Sequence, residues 1–97
     1  MSFTGKLIQS RPSTSVDFFS PTSEVIARID ELKAQGKIIS YNLNQISADN
    51  LIKTMQITYD TIDSHNLIVQ ENIFIDSANS RTSHCAENGI SFSVETE

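Results

Sequence analysis

Cysteine is nearly absent from this chain: Cys85 is the only one. That excludes an internal disulfide and every metal site built from several cysteines. Glycine is scarce too, and Gly5, Gly36 and Gly89 stand far apart, so no glycine-rich phosphate loop exists. No Gly-x-Ser-x-Gly or His-Glu-x-x-His motif occurs. No run of eighteen apolar residues is present, and no membrane partner is expected. Basic residues number seven against twelve acidic ones, for a net charge of −5. Lys6, Arg11, Arg28, Lys33, Lys37, Lys53 and Arg81 are scattered, whereas a nucleic-acid binder clusters such residues on one face. Nucleic acid is therefore not an expected partner.

Histidine is limited to His65 and His84. On a continuous helix they lie too far apart to share a metal ion, and neither has a His or Cys four residues on. No metal and no cofactor are expected. The start, Met-Ser-Phe-Thr-Gly-Lys, has neither the charged region nor the apolar core of a secretory signal, so the expected location is the cytoplasm. Ninety-seven residues make one expected domain, 1–97, with a modest core.

What is present is alternation. Ile39, Tyr41 and Leu43 alternate with Ser40, Asn42 and Asn44. Beyond the polar turn Ser47-Ala48-Asp49-Asn50, Leu51, Met55, Ile57 and Tyr59 alternate with Ile52, Thr54, Gln56 and Thr58. Period two on both sides of a short turn predicts two antiparallel, half-buried strands. Phe3 to Gln9 reads as a strand before them, and Ile90, Phe92 and Val94 read as a strand after them.

Two helical stretches lie between. Val25, Ile26, Ile29 and Leu32 form an apolar stripe. Ser20 is the expected cap, with Pro21 in the first turn and Glu24 paired to Arg28 outside. Gly36 is the expected stop. The second stretch starts at Asp60 or Thr61, breaks near Glu71-Asn72, continues through Ile73, Phe74, Ala78 and Cys85, and stops at Asn88-Gly89.

The order strand-helix-strand-strand-helix-strand predicts an α+β, ferredoxin-like fold. Four antiparallel strands in the order 4-1-3-2 carry both helices on one face. The odd residues of the central hairpin, with Ile90, Phe92 and Val94, should face the helices. Lys6, Ser40, Asn42, Thr54, Gln56, Thr58, Ser91 and Ser93 should form a polar open face, interrupted by Ile8, Ile38 and Ile52.

Two segments carry a family resemblance. Tyr59-Asp60-Thr61-Ile62-Asp63 resembles the aromatic-Asp-Ser-x-Glu that joins strand three to the second long helix in the dimeric α+β barrel superfamily, of the antibiotic-biosynthesis-monooxygenase-like type. Arg81 to Ile90 is similar to the Arg-x-x-aromatic-x-x-x-Asn-Gly-Ile that closes that helix. In layout and length the chain also resembles small proteins of marine cyanobacterial tailed phages, which would place it in a host cytoplasm or a virion. The resemblance implies a single ferredoxin-like domain and a homodimer. It also implies small-molecule or oxygenase chemistry as one functional class. Here the open face is small and polar where the enzymes carry bulky residues, and His84 replaces an aromatic residue.

The functional reading from the residues is a non-catalytic interaction or structural module acting as an oligomer. The alternative is a small-molecule-binding or monooxygenase-like enzyme of the barrel type. Self-association is expected through edge strands or loops as readily as face to face; another protein is the other candidate partner. Candidate ligand or partner contacts are Phe18, Phe19, Tyr41, Tyr59, His65 and Arg81. At least one of the adjacent Phe18 and Phe19 should face outward from its Ser-rich loop as an anchor. Cys85 is expected to be a buried, inert thiol.

Overall fold

A computed structural model describes residues 2–96. The elements run β1 (Phe3–Ser10), α1 (Ser23–Ala34), β2 (Ile38–Ile46), β3 (Ile52–Tyr59), α2 (Ile62–Ile68), α3 (Asn72–Asn88) and β4 (Ser91–Thr96). The sheet is antiparallel, in the order β2-β3-β1-β4, which is the ferredoxin-like arrangement the segment order predicts. No helix among the described residues is long and apolar enough to cross a membrane.

The register places Leu7 opposite Met55 and Val94, and Phe3 opposite Tyr59. These side chains share the helix-covered face, because side chains alternate along a strand. Val25, Ile29 and Leu32 of α1 pack there with Ile38, Tyr59 and Ile68. The other face carries Thr4, Lys6, Ile8, Thr54, Gln56, Thr58 and Ser93, with Thr4 and Thr58 sharing a hydroxyl hydrogen bond of 3.1 Å.

Strand β2 departs from the strict alternation. Ile38 is 1% exposed and Ile39 is 53% exposed, the reverse of the sequence expectation. The cause is a register shift between Ile38, opposite Tyr59, and Ser40, opposite Thr58. One extra residue flips the phase, so Ile38 and Tyr41 both reach the core side. A second shift lies between Asn42 and Gln45. On β4, Phe92 and Val94 hold the expected register positions but remain 38% and 63% exposed. Burial there ends at Ile90, because β4 is an edge strand that the helices cover only in part.

The helix ends also differ in part from the sequence expectation. Thr22, not Ser20, caps α1, its hydroxyl accepting from the Val25 N–H. Arg28 does not pair with Glu24; it reaches Glu71 at the start of α3 with two bonds of 2.8 and 3.0 Å, tying α1 to α3. Thr61 caps α2 by accepting from the Ser64 N–H. The break near Glu71-Asn72 separates α2 from α3 as expected.

Gly36 and Gly89 end α1 and α3 at φ of 80° and 69°. Lys37 N–H bonds to the Leu32 carbonyl and Ile90 N–H to the Cys85 carbonyl, the six-to-one bond of a Schellman end. A Cβ at either position would meet nothing within 4 Å, so only backbone strain opposes a side chain. Gly36→Val and Gly89→Val should each destabilise by about 1–2 kcal/mol. Paired thermal melts check this, and unchanged melting temperatures would contradict it.

Candidate functional site

The helix layer and the sheet do not meet everywhere. A cavity of about 230 Å³ lies between them. Small residues create it. Gly5 sits on the central strand β1, opposite Ile57 and Thr96, and a Cβ there would meet nothing within 4 Å. Ser77 and Ala78 of α3 also line the space. The three positions together remove side-chain volume that a ferredoxin-like core would otherwise fill.

The remaining wall is mostly apolar: Leu7, Met55, Ile57 and Val94 from the sheet, Val25 and Ile29 from α1, Phe74 from α3. Tyr59, His65 and Arg81 supply its polar chemistry. Tyr59 closes the end of β3, and burial pushes its phenol up to about 12. Near neutral pH it is therefore a protonated donor. His65 is half-buried on α2. Its ring packs edge-on against Tyr59, with centroids 5.0 Å apart, and against Phe3 at 4.6 Å. Its Nδ1 lies 3.1 Å from the Asn66 side-chain oxygen.

Arg81 projects from α3. Its guanidinium lies 5.3 Å from the centre of the Phe92 ring, an attractive cation–aromatic placement. Among the described residues its buried Nε has no hydrogen-bond partner. Burial pulls its pKa below the usual arginine value, and nearby Cys85 only partly opposes that. Cys85, four residues on, is fully buried, and its thiol is pushed up by the same burial.

One end of the cavity is closed by a strap, residues 11–22, from which Phe19 and Pro21 line the wall. The strap has no regular structure, yet it is tied at many points. Gln9, completely buried, accepts from the Phe19 N–H at 2.9 Å and donates to the Phe19 carbonyl at 3.0 Å. Lys53, its cross-strand neighbour, donates to the same carbonyl at 3.2 Å and to the Ser20 hydroxyl at 2.8 Å. Burial lowers the pKa of this lysine. Arg11 donates to the carbonyls of Asn50 and Val16 at 2.7 Å, and its guanidinium covers the Phe18 ring at 4.2 Å. His84 Nε2 lies 2.7 Å from the Asp17 carbonyl, a pairing in which the ring nitrogen donates.

Four of the six sequence-predicted contact residues therefore meet in one cavity: Phe19, Tyr59, His65 and Arg81. Phe18 lies under Arg11 instead, and neither Phe points freely outward; both are half-buried. Gln9 and Lys53 hold the Phe19 backbone inward while Arg11 covers its neighbour, which leaves each ring partly exposed. Tyr41 stands apart, its hydroxyl donating to Asp30 at 2.5 Å. Sequence reasoning missed Gln9 and Lys53. Their signal was present: both are polar residues at odd, core-facing positions of their strands, where alternation calls for apolar ones.

No family model matches the chain, and no curated protein matches it. Solved structures do match in fold. One is a Caulobacter crescentus protein that carries the name of an antibiotic biosynthesis monooxygenase, with a TM-score of 0.59, 11% identity, and coverage of 98% of this chain and 87% of that one. Another is a conserved Bacteroides thetaiotaomicron protein of unknown function, with a TM-score of 0.62, 12% identity, and coverage of 99% and 95%. A third is a dimeric ferredoxin-like protein from an uncultured marine organism, with a TM-score of 0.59, 8% identity, and coverage of 99% and 92%. Identities this low establish a shared fold.

Proposed function

We propose that the protein binds an organic small molecule in the cavity between its helices and sheet, and does so as a homodimer. The observation that carries this reading is the cavity itself. It is mostly apolar, with a few polar groups converging on it, which is the usual character of a ligand site. Its polar groups come from three separate elements, β3, α2 and α3. The fold neighbour named for a monooxygenase and the dimeric ferredoxin-like neighbour agree with this class of function.

An interaction module anchored by Phe18 and Phe19 has less support. Both rings are engaged with the body of the protein, one under Arg11 and one against His84, with ring centroids 6.1 Å apart in the second pair. A catalytic version of the binding reading has one specific observation in its favour. His65 is the only imidazole in the cavity wall, and it stands beside a protonated phenol. An imidazole and a phenol on one wall are side chains of the kind that catalyse proton transfer when a substrate reaches them.

The test is to fill the cavity. Gly5→Val places methyl groups in space that is open and on a strand that favours β-branched residues. The variant should fold with unchanged or higher stability, by about 0–1 kcal/mol, since valine adds apolar contact and removes glycine's excess freedom. Small aromatic ligands that raise the melting temperature of the wild type should no longer do so. A variant that is equally stable and still shows an undiminished ligand-induced shift would overturn the cavity reading.

A further inference from the structure

We infer that the ligand is an organic monocarboxylate, its apolar body in the cavity and its carboxylate on Arg81. This rests on the cavity being a binding site. The first support is a segregation of charge. The chain has more acidic than basic residues, yet no Asp or Glu among the described residues lines the cavity, while Arg81 does, beside His65. Random placement would have favoured the opposite sign.

The second support is a comparison among the three arginines. Arg28 meets the Glu71 carboxylate through two bonds, and Arg11 donates to two carbonyls. Arg81 alone has a buried Nε with no acceptor, and among the described residues it has no ion-pair partner. A guanidinium presents a planar fork of donors that matches a carboxylate in two-point contact. Phe92 holds one face of that fork, leaving its edge for an acceptor. Burial already disfavours the Arg81 charge, so an arriving anion meets a cation that has lost part of its water and gained no partner. A mostly apolar wall with a single such fork suits one negative charge on an apolar body.

Size narrows the body. A dry cavity of about 150 Å³ accepts benzene. The 230 Å³ here accommodates on the order of ten heavy atoms by the same scale. A fused bicyclic ring fits that range.

Naphthoate and its uncharged analogue naphthylmethanol, titrated calorimetrically, test the inference. In the wild type, naphthoate should bind about tenfold or more tightly than the alcohol, the range a charge-assisted pair supplies. Arg81→Met retains the apolar stem. It should weaken naphthoate by about tenfold or more and change the alcohol by no more than about twofold. Arg81→Lys should retain part of the preference. Gly5→Val should remove both ligands. Equal binding of the two probes by the wild type, or naphthoate binding untouched in Arg81→Met, overturns the anion assignment; if Gly5→Val still removes both probes, the cavity reading survives. Failure of both probes to bind the wild type overturns the two together. If Arg81→Met does not fold, the probe comparison in the wild type and in Arg81→Lys decides.

Discussion

Replacing Gln9 with leucine is expected to cost about 2–4 kcal/mol in urea unfolding. The side chain is completely buried and makes two bonds to one residue, the N–H and the carbonyl of Phe19. It pairs with the strap much as a neighbouring strand would. Leucine fills similar space but orphans the Phe19 N–H, whose one bond among the described residues is to Gln9. The carbonyl keeps Lys53 at 3.2 Å, so the loss is less than two full desolvation penalties. The midpoint should fall with little change in slope, which separates a stability loss from a change in compactness. Proteolysis should also move to the segment 11–20, since the strap has no regular structure to hold it once the Gln9 bonds are gone. A loss below about 0.5 kcal/mol would show that the strap is held elsewhere, through Arg11 and His84.

The second large effect concerns self-association. Ile8 lies at the centre of the open sheet face, between Thr54 of β3 and Ser93 of β4. It is an apolar side chain on a face otherwise dominated by Thr, Ser, Gln and Lys. With the proposed dimer closed over this face, Ile8→Asp should raise its dissociation constant by about 100-fold or more, because it replaces apolar burial with an unpaired charge. The monomer should fold normally, since this face is not part of the core. Light scattering at tens of micromolar would then report a dimer for the wild type and a monomer for the variant. A wild-type monomer sinks the homodimer proposal. A variant that remains dimeric moves the interface to an edge strand or loop, where unpaired backbone groups also offer a template.

These two residues show what was legible in the chain. Ile8 could be placed on the open face because β1 and β3 alternate without interruption, and period two fixes the side of every residue. The hairpin, both helices, the break before α3 and the glycine stops follow from equally local signals. So does the sheet order, because two strand-helix-strand units joined by a hairpin have few other ways to pack. Gln9 shows the limit. Its position was readable as core-facing, but its partner is ten residues away in a loop with no periodicity. Nothing local says that a buried amide will be satisfied by the backbone of that loop. Ile38 and Ile39 show a second limit. Either could have been inside, and the bulge that chose Ile38 depends on β3 as much as on β2.

The sequence by itself determined the elements, the two faces of β1 and β3 and the polar character of the open one, because these depend on spacing within one segment. Tertiary structure decided the cavity and its contents. Gly5 on β1 and the adjacent Ser77 and Ala78 on α3 are small residues far apart in sequence, and they make a void only when sheet and helix bring them face to face. Arg81 stood among the candidate contacts, but nothing local in the chain showed that its surroundings would leave it without an acceptor. Its lack of an acceptor is a property of everything packed around it. Contacts of that kind are set by the three-dimensional closure of distant segments, and no local pattern in the chain encodes them.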